Sequence, residues 1–224
     1  MTDPARSTVL VLQHQPDAGP GNLAFWLDDN GYEWTLVDVP RGLPTPKRYQ
    51  ALVVLGSRES AFDASISWIS AERTFVAECA AAGTPVLGLC FGAQLLAMAL
   101  GGQVHRMVQP ERGWTRVEGQ PPFGGPWFAW HQDEIKAPPG SNEVARTDRC
   151  LHAFTSGRHL GVQYHPEVTP DQIADWLAQP ARVRDLLSSG GTVEEVKAET
   201  GRRAQEAAAS ATHLYNRFFA GAAT

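Results

Sequence analysis

Cys90 is the residue from which a chemistry can first be argued. It lies within PVLGLCFGAQLLAMALGG, residues 85 to 102, where an apolar strand runs through Gly88, Cys90 and Gly92 into an apolar-faced helix. A nucleophile on a strand-to-helix turn sits in strained backbone. The residues two before and two after it approach so closely that glycine is the natural choice at both. Here both are glycine and the nucleophile is a thiol. At a helix N-terminus the positive end of the dipole and the free amides favour the thiolate, the reactive form. The same pattern also describes a small buried cysteine ending a core strand, so other parts of the chain must decide.

A cysteine nucleophile needs a base, and the base is best oriented by a third group. The run GVQYHPEV supplies His165 and Glu167 at the end of an apolar strand. Residues i and i+2 of an extended segment project to one side, and Pro166 disfavours helix at His165. The Glu167 carboxylate is therefore expected to fix the imidazole. His105, His131, His152, His159 and His213 lack a carboxylate two residues on through a proline, and read as surface or satisfied polar residues. The three cysteines, Cys79, Cys90 and Cys150, are an odd number with no CxxC spacing. Neither a disulfide framework nor a zinc site is indicated by that spacing, and Cys79 and Cys150 read as structural.

The elements that must position these residues follow a regular alternation. STVLVL, residues 7 to 12, reads as a buried first strand, followed by a Pro/Gly-rich loop and a helix, LAFWLDDNG, closed by Gly31. EWTLVDV at 33 to 39 and ALVVL at 51 to 55 read as further strands, apolar on both faces as in a parallel sheet covered by helices. A helix from about Ile69 to Ala82 leads into the cysteine strand. The pattern implies a doubly wound, mostly parallel α/β sheet with flanking helices. Beyond Gly102 come short extended runs, QVHRMV, GWTRVEG, PWFAWH, EVARTD, LHAFTSG and HLGVQYH. They predict a small antiparallel addition and a return strand to the sheet. TPDQIADWLAQ opens a helix with a Thr N-cap, and 192 to 219 reads as a long C-terminal helix weakly broken at Thr200-Gly201.

Residues 1 to 224 are expected to form a single domain, with a core over about 7 to 178 and a helical C-terminal extension over about 180 to 220. A composition 43% hydrophobic and 19% charged is that of an ordinary folded chain. The net charge of -5 without a Lys/Arg cluster argues against a nucleic-acid partner, since phosphate binding needs a basic footprint. MTDPARST has no signal-peptide pattern and no apolar run approaches membrane-spanning length, so no membrane partner and a cytoplasmic location are expected.

The pair GLCFGAQ and GVQYHPEV resembles the class I, or triad type, glutamine amidotransferase domain, and with the order of strands the likeness covers nearly residues 7 to 178. It implies a flavodoxin-like sheet, with Cys90 as nucleophile, His165 as base and Glu167 as its orienter. The reaction implied is hydrolysis of the glutamine side-chain amide through a γ-glutamyl thioester. No cofactor and no metal are implied. Gln94 matches a glutamine-contacting residue of the family, and as i+4 from Cys90 it shares a helix face with it. The oxyanion hole implied uses the backbone amide of Phe91 and one from the loop Gly56-Ser57-Arg58-Glu59-Ser60. Serine replaces the second glycine usual in that loop and Arg58 the proline, so Ser57 supplies the expected amide, and Gly56 and Arg58 are expected at the substrate. AWHQDEI, 129 to 135, resembles the family's loop beside the glutamine site, giving His131 and Asp133 a secondary binding or structural role.

Within the family the chain resembles stand-alone relatives of the GMP synthetase amidotransferase domain. The first functional reading is a glutaminase whose ammonia passes to an acceptor in a synthase subunit. The second is a free-standing hydrolase of γ-glutamyl amides or peptides. A non-catalytic regulatory or binding module is the third, which the complete set of Cys90, His165 and Glu167 opposes.

Overall fold

The computed structural model describes residues 8–222. The N-terminal reading at 1 to 7, Ser7 of the first strand included, lies outside the described residues. The chain runs β1 (Val9–Gln13), α1 (Gly21–Asp29), β2 (Trp34–Asp38), β3 (Ala51–Val54), α2 (Ser67–Ala81), β4 (Val86–Leu89) and α3 (Phe91–Ala99). It continues through β5 (Gln103–Gly119), β6 (Gly125–Lys136), β7 (Asn142–Arg146), β8 (Leu151–Ser156) and β9 (His159–Val162) to α4 (Pro170–Leu177), α5 (Pro180–Ser188) and α6 (Val193–Ala222).

Among the described residues, nine strands form a sheet in the order β2-β1-β3-β4-β9-β8-β7-β5-β6. The first five are mutually parallel, and β8, β7, β5 and β6 follow, each antiparallel to the strand before it. The β1 residues show how the layers arise. Val9 and Val11 point into a core shared with α1 and α6, while Leu10 and Leu12 point into one shared with α2 and α3. Alternate residues of a strand face opposite sides, so both faces must be apolar, and each such side chain contributes about 1.5–3 kcal/mol on burial. β9 returns beside β4 with Gly88 opposite Gly161. The carboxyl ends of β1, β3, β4 and β9 thus lie side by side, the position at which open α/β sheets bind ligands.

Three readings need correction. β2 is an edge strand, not one buried on both faces, and Leu36 is 44% exposed. QVHRMV and GWTRVEG belong to one strand, β5, whose register shifts between Arg106 and Glu111, where Pro110 has no amide to donate. α6 passes through Thr200-Gly201 without a break. Thr200 Oγ1 bonds back to the Val196 carbonyl and accepts the Trp114 indole N–H, which holds the helix at that point. The N-cap at Thr169 is a full capping box with Gln172.

Candidate active site

Cys90 follows β4 directly and precedes α3, with φ 52° and ψ -107°. Among the described residues it is the one non-glycine with positive φ. The packing explains why the flanking glycines are required. A Cβ on Gly88 would lie 2.4 Å from the Gly92 carbonyl oxygen, and one on Gly92 would lie 2.0 Å from that of Val54. The turn is pinned to the neighbouring strand by Cys90 N–H donating to the Val162 carbonyl at 2.8 Å. Phe91 opens α3, so its amide has no acceptor within the helix.

His165 follows β9 and is anchored by its own amide, which donates to the Phe128 carbonyl at 2.8 Å. Its Nδ1 lies 2.7 Å from Glu167 Oε1, and both side chains are buried. The opposite ring nitrogen, Nε2, is buried without a hydrogen-bond partner in the protein. Burial opposes protonation of this ring, but the Glu167 carboxylate and Cys90 outweigh it, and the imidazole is pushed up to about 10.

A cleft of about 130 Å³ brings together nearly all the residues singled out in the sequence: Gly56, Ser57, Arg58, Cys90, Phe91, Gln94, His131 and His165 line it. Glu167 stands behind His165. A side chain at Gly56 would meet His165 Cε1 at 3.0 Å, which accounts for glycine there. Gln94 is buried, donating to Gln163 Oε1 at 3.2 Å. Gln163, two residues before His165, in turn donates to Cys90 Sγ at 3.6 Å. Arg58 is engaged on the rim with Asp17 and Gln179. Asp17 also takes Arg182, whose guanidinium stacks 4.1 Å over Trp176. Burial raises the Asp17 carboxyl, but Gln179, Arg58 and Arg182 outweigh it and lower it to about 2. His131 lines the cleft with both ring nitrogens facing protein acceptors, the Asp133 carbonyl and Glu111.

Sequence reasoning missed a buried pair beneath the Gly56 loop. His14, just after β1, donates from Nδ1 to the Gly56 carbonyl at 2.9 Å, and its Nε2 lies 2.9 Å from Glu72 Oε1 on α2. The Gly56–Ser57 peptide is trans, so a carbonyl held by His14 turns the Ser57 N–H the opposite way. No local signal marks this pair, because His14 and Glu72 are 58 positions apart.

A parallel α/β sheet that presents a cysteine on a strained elbow beside a buried His–Glu pair defines a class, the elbow-cysteine α/β enzymes. The family model for class-I glutamine amidotransferases matches residues 26–179. The chain belongs to the class-I glutamine amidotransferase family and is an amidohydrolase of that type. Curated relatives include a glutamine-hydrolysing GMP synthase of Thermus thermophilus, 37% identical over 184 residues, covering 75% of this chain and 35% of that protein. One from Aeropyrum pernix is 39% identical over 150 residues, 57% of this chain and 29% of that protein. The chain therefore spans about a third of the length of these relatives. Among solved structures, a glutamine amidotransferase from Methylobacillus flagellatus superposes with TM-score 0.87 at 25% identity, covering 96% of this chain and 95% of that one. One from Thermotoga maritima, 22% identical with TM-score 0.85 over 96% of this chain and 98% of that one, shares the fold. Among the described residues no helix is long and apolar enough to cross a membrane.

Proposed function

We propose that this chain hydrolyses the side-chain amide of glutamine through a γ-glutamyl thioester on Cys90 and delivers the ammonia to an acceptor on a synthase partner. The observation that carries the reading is the His165–Glu167 pair at 2.7 Å with Nε2 of His165 left unpartnered at the cleft that Cys90 lines. The thiolate attacks the amide carbon, and the N–H groups of Phe91 and Ser57 take the negative charge that develops on oxygen. His165 gives its proton to the leaving nitrogen, and ammonia departs. Water then attacks the thioester while His165 takes its proton, releasing glutamate and restoring the thiolate beside the protonated imidazole. The balance is glutamine plus water to glutamate plus ammonia. Gln94 lines the cleft, and Gln163, fully buried behind it, holds both Gln94 and Cys90. The curated relatives that carry this region as about a third of a GMP synthase support a synthase as the acceptor's home.

The test is mass spectrometry of the protein mixed with glutamine and a panel of γ-glutamyl amides, with ammonia release followed in parallel. A γ-glutamyl adduct on Cys90 from glutamine, absent in Cys90→Ala, is the expected result. An adduct only from larger γ-glutamyl amides would transfer the chemistry to the free-standing hydrolase reading, and no adduct from any of them would overturn both.

A further inference from the structure

Beside the cleft, a second group of side chains is arranged as a ligand set. Glu111 of β5, His131 of β6, Cys150 just before β8 and His152 of β8 are all buried, with one ligand atom from each lying within 4.8 Å of the others. Glu111 Oε2 is their hub. His131 Nε2 lies 3.1 Å from it, His152 Nε2 2.6 Å and Cys150 Sγ 3.6 Å. The other carboxylate oxygen is separately satisfied by the Thr147 hydroxyl, which donates to Oε1 at 3.0 Å.

The hydrogen-bond count at this hub is short of positive charge. A backbone carbonyl only accepts, so His131 Nδ1 must donate to the Asp133 carbonyl at 3.0 Å. A neutral imidazole has one N–H, so Nε2 then presents a lone pair to a carboxylate oxygen. A proton would mend that one contact. A four-coordinate cation would mend it while also taking His152, Cys150 and Glu111 as ligands. His14 is the contrasting case, a single imidazole on a carboxylate of its own, a pairing that one proton completes. An Nδ1–H donated to a main-chain carbonyl is also the arrangement that orients metal-ligating histidines.

We propose that Glu111, His131, Cys150 and His152 bind one Zn²⁺ ion that ties β6, the strand forming one wall of the cleft, to β5 and β8. One thiolate, two imidazoles and one carboxylate are a donor set suited to zinc and short of oxygens for magnesium or calcium. Thiolate and carboxylate together neutralise the ion, as a buried site requires. Tetrahedral ligands at zinc bond lengths stand about 3.3–3.8 Å apart, so the shortest contacts to Glu111 open by about 1 Å or less and the widest pairs, within 4.8 Å, close by a similar amount to hold the ion. On binding, Cys150 releases its proton to solvent, and the proton that His152 Nε2 shares with Glu111 moves to Nδ1, which has no hydrogen-bond partner in the protein. The spacing in sequence conceals the site, because three separate segments supply the ligands. The proposal stands apart from glutamine hydrolysis, since neither Cys90 nor His165 belongs to it.

The experiment is zinc binding by the chelator-stripped full chain, read by elemental analysis, with Co²⁺ substitution to detect a thiolate-to-cobalt charge-transfer band. Stoichiometric zinc and the band are expected in both the wild type and Cys90→Ser. Cys150→Ser should abolish the band, and His152→Gln, which keeps a donor toward Glu111, should weaken zinc at least about tenfold while circular dichroism stays unchanged. Zinc should also raise the melting temperature with its concentration, by mass action on the folded state. Absence of stoichiometric zinc in the wild type, or a band that is lost in Cys90→Ser and kept in Cys150→Ser, would overturn the proposal and leave a proton-bridged cluster.

Discussion

Replacing Cys90 by glycine and by alanine separates its chemistry from its backbone. Both remove the thiol, and on the proposed mechanism both lower glutamine turnover by about a thousandfold or more. Only glycine adopts φ 52°, ψ -107° without strain, a conformation that costs other residues about 1–3 kcal/mol. Cys90→Gly should therefore be the more stable variant by about 1 kcal/mol in urea unfolding, after allowing for the entropy of glycine. Equal stabilities would mean the elbow is not strained. His165 gives the fold a pH-dependent stability. Its folded pKa of about 10 lies above the ordinary 6.5, so its contribution is fully present below 6.5 and is lost as pH rises through about 10. Wild-type stability should fall across that window more steeply than that of Glu167→Gln, which removes the carboxylate that raises the ring. The same substitution should lower kcat/KM for glutamine by about 10²–10⁴, by analogy with the loss of an orienting carboxylate elsewhere.

At the scale of elements, the cleft depends on four strand ends and on what holds the loop after β3. His14 comes from the end of β1 and Glu72 from α2, so the orientation of the Gly56–Ser57 peptide is set by two elements that make no contribution to the chemistry themselves. Glu72→Gln keeps the shape and weakens the hold on His14. With the Ser57 amide in its proposed role as an oxyanion donor, which acts on the transition state and not on bound glutamine, the expected outcome is a fall of about tenfold in kcat with KM little changed. A rise in KM with kcat intact would instead make the pair part of glutamine binding.

At the scale of the molecule, α6 closes the fold. Leu214, Tyr215, Phe218 and Phe219 are buried in the core that β1, β3, β4 and α1 also line, and Trp26 and Tyr32 pack against Phe219 with ring centroids 4.8 and 4.9 Å away. The aromatic groups of LYNRFF thus serve the chain's own core. Phe219→Ala should cost about 3–5 kcal/mol, read as a lower urea midpoint. We propose that the whole chain unfolds as one cooperative domain, extension included. Coincident transitions by tryptophan fluorescence and far-ultraviolet circular dichroism would bear this out, and an earlier separate loss of α6 helix would refute it.

By itself the sequence determined the parts whose physical cause is local. Gly88 and Gly92 flank a cysteine because the elbow leaves no room for Cβ atoms, and His165 and Glu167 are close in sequence, although a turn at Pro166–Glu167 beyond β9, and not the expected extended run, brings the carboxylate to the ring. The alternation of strands and helices gave the parallel sheet for the same reason. Tertiary structure alone decided what depends on distant segments meeting. His14 and Glu72 meet because β1 and α2 converge at the Gly56 loop. Glu111, His131, Cys150 and His152 meet because β5, β6 and β8 are joined through an antiparallel half-sheet. The unbroken α6 belongs here too, since the Trp114 indole that fixes Thr200 comes from 86 residues away, beyond the reach of any local pattern.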